Sequence, residues 1–218
     1  MPKYTPKYKA KLKNLIKNKK IYLGDIDTRK ITDMSKLFFK SKRKDFSGIE
    51  NWDTSNVKNM SDMFYDCSNF NQNISNWNVS KVRNMAFMFC GCYNFNQPLD
   101  AWDVSNVCNM SNMFYCCMNF NQNISNWNVS NVRYMDFMFS ECHSFNQPLD
   151  TWDVSNACDM NAMLANCYNF EQSLYEWKIP IKTITNNMLR NCDKIKDFPA
   201  DWIESFEELR SSELCEKL

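Results

Sequence analysis

Apolar side chains return along this chain at a fixed spacing of 25 residues, far longer than the period of a helix or a strand. Trp52, Trp77, Trp102, Trp127, Trp152, Trp177 and Trp202 mark the step. Met60, Met85, Met110, Met135 and Met160 follow it, then Met63, Met88, Met113, Met138, Met163 and Met188. Phe64, Phe89, Phe114 and Phe139 keep the same interval, as do Phe70, Phe95, Phe120, Phe145 and Phe170. So do Cys67, Cys92, Cys117, Cys142, Cys167 and Cys192. Upstream, Ile26-Asp27-Thr28 through Met34, Leu37 and Phe38 matches Trp52-Asp53-Thr54 through Met60, Met63 and Phe64, a first repeat with a slightly longer step. The array therefore holds about seven repeats.

Within one repeat, Leu99, Trp102 and Val104 make a short β-branched and aromatic segment, preceded by Pro98, which predicts a short strand. Asn109 then stands before Met110, Met113, Phe114 and Cys117, a spacing that predicts one or two helical turns behind a capping residue. A unit of strand, turn, short helix and turn cannot bury its apolar face alone; stacked units can. The expectation is a leucine-rich-repeat-like solenoid over 26–200, with parallel strands and interior ladders built from Trp52, Trp77, Trp102, Trp127 and Trp152 and from Cys67, Cys92, Cys117, Cys142 and Cys167. The pairs Asn71-Gln72, Asn96-Gln97, Asn121-Gln122 and Asn146-Gln147 are expected to satisfy backbone groups at the loops.

The ends differ from the array. Over 4–19, Tyr4, Tyr8, Leu12, Leu15 and Ile16 share one face of a predicted helix, so 1–25 reads as a basic capping arm. Trp202, Ile203, Phe206 and Leu209 give 201–218 the pattern of a C-terminal capping helix.

Charge changes this picture in one respect. The net charge is only +1, but residues 1–50 carry 15 basic and 5 acidic side chains, while 51–180 carry 5 and 12. A lysine-rich N-terminus suits nucleic acid or another anionic surface, and it equally suits a solvated cap. No stretch has the length of a membrane span or the apolar core of a secretory signal, so an intracellular, reducing setting is expected, with the 11 cysteines as free thiols.

Candidate chemistry is sparse. His143 is the single imidazole, at a position where other repeats have Ser68, Tyr93, Met118 and Tyr168, and the three glycines form no phosphate loop. Cys90, Cys92, Cys108, Cys116 and Cys117 lack the spacing of paired zinc knuckles. Neither catalysis, a cofactor nor a metal is expected, and a monomer is favoured. Recognition should instead use positions that vary between repeats. One row is Lys58, Arg83, Cys108, Arg133 and Cys158; another is Tyr65, Cys90, Tyr115 and Ser140. Arg83, Tyr93, Tyr115 and Arg133 are the candidate partner-binding residues, since Tyr and Arg are good interface anchors.

The string WDVSNVCNMSNMFYCCMNFNQ, residues 102–122, resembles the repeats of BspA-like surface proteins and of Mycoplasma- and Listeria-type lipoproteins. The resemblance spans about 26–195 and implies a leucine-rich-repeat-like solenoid used for adhesion or protein contact. Similar arrays occur in giant DNA viruses and unicellular eukaryotes, and the Lys, Asn, Ile and Phe bias suits an AT-rich genome. Unlike the secreted members, this chain is expected to have no signal or anchor, and it places Cys where they often have Ala. The expected function is a protein-binding scaffold, with binding of an anionic polymer through residues 1–20 as the alternative.

Overall fold

The computed structural model describes residues 2–199 and 202. One α-helix, α1 (Lys9–Lys17), precedes the repeats, and short 3-10 turns occupy Leu23–Asp25 and Ile49–Asn51. α1 is shorter than the expected 4–19. Tyr4 lies outside it, in a parallel bridge to Ile26, and Tyr8 is exposed. Leu12 and Ile16 carry the packing, both buried in the core. Lys9 holds Asp33 at 3.1 Å, and the buried Arg43 guanidinium donates to the carbonyls of Ile16 and Ile21, tying the arm to the first repeat. The expected capping helix over 201–218 lies outside the described residues, apart from Trp202.

From residue 33 onward, each repeat is bonded to the next through its backbone. The pattern is clearest in one seam, where the N–H groups of Met60, Asp62, Phe64 and Asp66 donate to the carbonyls of Asn84, Ala86, Met88 and Cys90 at 2.7–2.9 Å. The intervening N–H groups of Met63, Tyr65 and Cys67 turn inward to Met60, Asp62 and Phe64 of their own repeat. Every second donor therefore leaves the repeat. That is why the expected short helix does not form: a helix keeps all its N–H groups to itself. The expected strand around Leu99–Val104 is also absent as a ladder. Beyond the Tyr4–Ile26 bridge, parallel pairing among the described residues is confined to single bridges running Asp33, Asn59, Asn84, Asn109, Tyr134, Asp159, Ile184.

The alternation requires left-handed backbone twice per repeat, at Asp62 and Asp66, Asn112 and Cys116, Phe137 and Glu141, and their equivalents, with φ between 50° and 73°. Asn and Asp adopt this region most easily among residues with a Cβ. Glycine fills it once, at Gly91 (φ 73°). Because six other repeats hold a side chain at that position, Gly91→Asn is expected to change stability by less than about 1 kcal/mol in urea unfolding. A larger loss would mean that the 3.3 Å approach of a Cβ to Asp66 Cα is not relieved as it is in the other repeats.

Side chains complete the seams. Asn59, Asn84 and Asn109 each accept the N–H two residues on, so the residue read as a helix cap makes a cap-like bond with no helix behind it. Asn71 Oδ1 accepts both Asn96 N–H and Gln97 Nε2, and Asn96 and Asn121 repeat the arrangement. The expected amide pairing is thus present, directed from one repeat to the next.

The core is a set of columns. Phe64, Phe89, Phe114 and Phe139 stack at 5.6–5.7 Å between successive centroids, and each lies 3.8–4.4 Å from the Phe six residues on. All are fully buried. Trp52, Trp77, Trp102, Trp127 and Trp152 are about as deep, and each indole Nε1 donates to a carbonyl of the preceding repeat, from Leu23, Ile49, Ile74, Leu99 and Ile124. Burying each such aromatic ring contributes about 1.5–3 kcal/mol.

Candidate recognition surface

Cysteine in the ladder has a bonding role that residue spacing did not show. Cys67, Cys92, Cys117, Cys142 and Cys167 donate their thiols to the carbonyls of Phe38, Phe64, Phe89, Phe114 and Phe139 in the preceding repeat at 2.9–3.1 Å. An Ala at the same place would fill the space and leave those carbonyls with less. Burial pushes the Cys67 thiol up to about 11 and the Cys90 thiol up to about 12, and it holds Cys92, Cys117, Cys142 and Cys167 well above the ordinary value. These thiols are therefore inert core groups. Among the described residues, no three His, Cys, Asp or Glu side chains come together as a metal ion would need.

On the outside, the two rows expected to vary have different fates. Cys90 and Ser140 are buried and Tyr65 and Tyr115 half-buried, so the second row belongs largely to the body of the protein. Tyr115 sits beside Cys116, which raises the phenol together with burial, and its ring is edge-on to Phe137 at 6.4 Å. Its ring is thus only partly open to solvent. The reason is local: this position falls inside the run of turns, where the chain doubles back on itself.

The first row is a straight backbone column. Arg83 N–H donates to Lys58 O, Cys108 to Arg83, Arg133 to Cys108, and Cys158 to Arg133, at 2.7–2.9 Å. Lys58, Arg83, Cys108 and Arg133 are exposed and Cys158 is half-buried. Arg83 makes no side-chain hydrogen bond among the described residues, whereas Arg133 Nη2 donates to Cys158 Sγ at 3.5 Å. That contact raises the Arg133 guanidinium, which is fully exposed.

Tyr93 is part of a second outward column. Tyr93, Met118 and Tyr168 are 40%, 38% and 47% exposed, and His143 stands between the last two with its ring 5.0 Å from Tyr168. Backbone bonds from Asn119 to Tyr93 and from Ser144 to Met118 fix the alignment. His143 Nε2 lies 3.0 Å from Glu141 Oε2, and among the described residues no nucleophile is hydrogen-bonded to it. Four adjacent repeats thus present an aromatic, thioether, imidazole and aromatic side chain in register.

Two overlapping stretches, residues 9–117 and 94–202, match the family model described as "Mycoplasma protein of unknown function, DUF285". The chain belongs to this family. No curated protein and no solved structure matches it. The family description names no activity, so a role for this DUF285 member has to come from its own residues. Among the described ones, no helix is long and apolar enough to cross a membrane.

Of the four candidate residues, Arg83, Tyr93 and Arg133 are presented outward in this DUF285 chain, and Tyr115 is half-buried. Met118, His143 and Tyr168 belong with Tyr93, and the signal for them was available: they are the same repeat position, and each is apolar or aromatic at a place that solvent reaches.

Proposed function

We propose that the chain is a non-enzymatic scaffold, a solenoid-like stack of repeats that holds a partner protein along its outward columns. The observation that carries this reading is the register of Tyr93, Met118, His143 and Tyr168. Amphipathic rings and Met at fixed height on a stiff backbone cost little side-chain entropy to order on binding, and residues of this kind dominate interface energies. Arg83 and Arg133, on the other column, add unburied guanidiniums suited to carboxylates on the partner. The single imidazole, held by Glu141 and tilted against Tyr168, fits a contact residue better than a general base. A reducing, intracellular setting is consistent with a core whose thiols act as donors.

The test is photo-crosslinking of the full chain in native cell extract from a position beside Tyr93, repeated with Tyr93→Ser, Met118→Ser and Tyr168→Ser combined. All three side chains are exposed, so the fold should survive. A discrete crosslinked protein is expected for the parent chain. Its binding should fall by about thirty-fold or more in the triple variant, the loss of at least one strong anchor. Undiminished binding by the triple variant would overturn the reading. Binding that survives there but falls when exposed Lys11, Lys17, Lys19 and Lys20 become Gln, and that weakens steeply with salt, would favour an anionic polymer instead.

A further inference from the structure

Cys158 stands apart from the other thiols. Seven of the ten cysteines among the described residues are buried, and Cys116 is half-buried with its thiol raised by burial. Cys108 and Cys158 remain on the outward column, separated by Arg133. They cannot pair with each other: each repeat advances the stack by about 4.8 Å, so two repeats put their backbones about 10 Å apart, beyond the 7 Å limit for a disulfide. Any oxidation there must involve a second molecule.

Only one of the two is furnished for it. Both thiols make a weak contact with a carbonyl of their own repeat, Cys108 with Asn106 O at 3.7 Å and Cys158 with Asn156 O at 3.8 Å, but Cys158 Sγ also accepts from Arg133 Nη2 at 3.5 Å. Cys158 also lines an open depression of about 520 Å³, with Arg133, Asn131, Asn156, Lys182 and Thr183 around it. The lining offers two cations and several neutral donors, and no carboxylate is part of it. That set is suited to an acidic molecule.

We propose that Cys158 is a thiolation site for small disulfides that carry carboxylates, of the glutathione disulfide class, with Arg133 and Lys182 as the groups that recognise the acid. The Cys158 sulfur, having given its proton to solvent, attacks one sulfur of the incoming disulfide. A new Cys158–sulfur bond forms as the old sulfur–sulfur bond breaks, and the departing thiolate takes up a proton. The disulfide is the oxidant, reduced by one thiol, and the atoms balance without any further reagent. Negative charge spreads over three sulfurs during the exchange, and the guanidinium at 3.5 Å from one of them favours that state. Once attached, the adduct covers Arg133 with an anionic group and so changes the sign of one end of the charged column.

The experiment uses the full chain with three probes: glutathione disulfide (anionic), bis(2-hydroxyethyl) disulfide (neutral) and cystamine (cationic). Adducts are assigned by peptide mass mapping over time. In the parent chain, Cys158 is expected to react faster than Cys108 with glutathione disulfide, by about five-fold or more, and to prefer the anionic probe over the cationic one. Arg133→Ala combined with Lys182→Ala should abolish that charge preference, and Arg133→Lys should retain most of it. Equal rates at Cys108 and Cys158 would overturn the proposal, as would a charge preference that survives the double variant. A chain-to-chain disulfide at Cys158 formed in preference to the small adduct would also overturn it. Arg133 and Lys182 are both exposed, so their replacement should leave the fold intact.

Discussion

Taking the protein above about pH 9 is expected to unfold it over a narrow range. Cys67, Cys90, Cys92, Cys117, Cys142 and Cys167 all have thiols raised by burial above the ordinary value of 9.0, two of them to about 11 and about 12. In the unfolded chain these groups lose their protons near 9, while the folded state still holds them. Their contribution to stability is complete below that pH and is lost as pH rises through the folded values. Each such thiol removes about 1.4 kcal/mol per pH unit inside the window. With six raised thiols, stability should fall steeply once the pH passes the ordinary thiol value, against a usual total of about 5–15 kcal/mol for a domain. Denaturant titrations from pH 7 to 11 check this. Cys117→Ala or Cys142→Ala should each lower the slope of stability against pH by about one proton. A slope unchanged by either variant would show that the ladder thiols are not what titrates.

Gly48→Ala should be the most damaging single methyl group that can be added to this chain, with a loss of about 3 kcal/mol or more. Gly48 opens the turn at Ile49–Asn51 with φ 89°, where an L side chain is strained. The added carbon would also clash with Gly24 N and lie 2.8 Å from Gly24 Cα. Both are backbone atoms, so the clash is relieved only by separating the two segments. Ile49 O, which accepts the Trp77 indole, would move with them. Urea unfolding checks the prediction, and a change below 1 kcal/mol would mean that the two backbones can part without loss. The contrast with Gly91, whose repeat position accepts Asp, Cys, Glu and Asn elsewhere, separates a glycine required by contact from one merely permitted.

Repeat length, core columns and the amide pairs were legible in the sequence because each recurs at the same place in many repeats. Local conformation was not. The spacing of Met110, Met113, Phe114 and Cys117 matches helical turns, yet a run of turns whose alternate N–H groups leave for the next repeat places the same residues on the inner side. The clue lay at positions such as Asp62, Asp66, Asn112, Asn166 and Asn191, a concentration of left-handed formers that a helix would not choose. The recognition surface was half legible. Variation between repeats identified the columns, but it could not tell outward Tyr93 from half-buried Tyr115, because both positions vary and only their place relative to the turns differs. The depression beside Cys158 needs residues from three repeats and has no signature in any one of them.

Along the runs of turns, the backbone donors that leave each repeat all point toward the C-terminal side. In the last described repeat, the N–H groups of Thr185, Asn187, Leu189 and Asn191 occupy the donor positions and find no acceptor among the described residues. Every internal seam is chemically the same, with a donor edge on one repeat and an acceptor edge on the next. Removing or doubling a whole repeat therefore joins the same two kinds of edge and leaves the bonding rule intact, whereas a change of a few residues throws every column beyond it out of register. The length of such a chain is quantised. Its evolutionary history is correspondingly one of whole units, as the identical stretches at 69–80 and 119–130 attest.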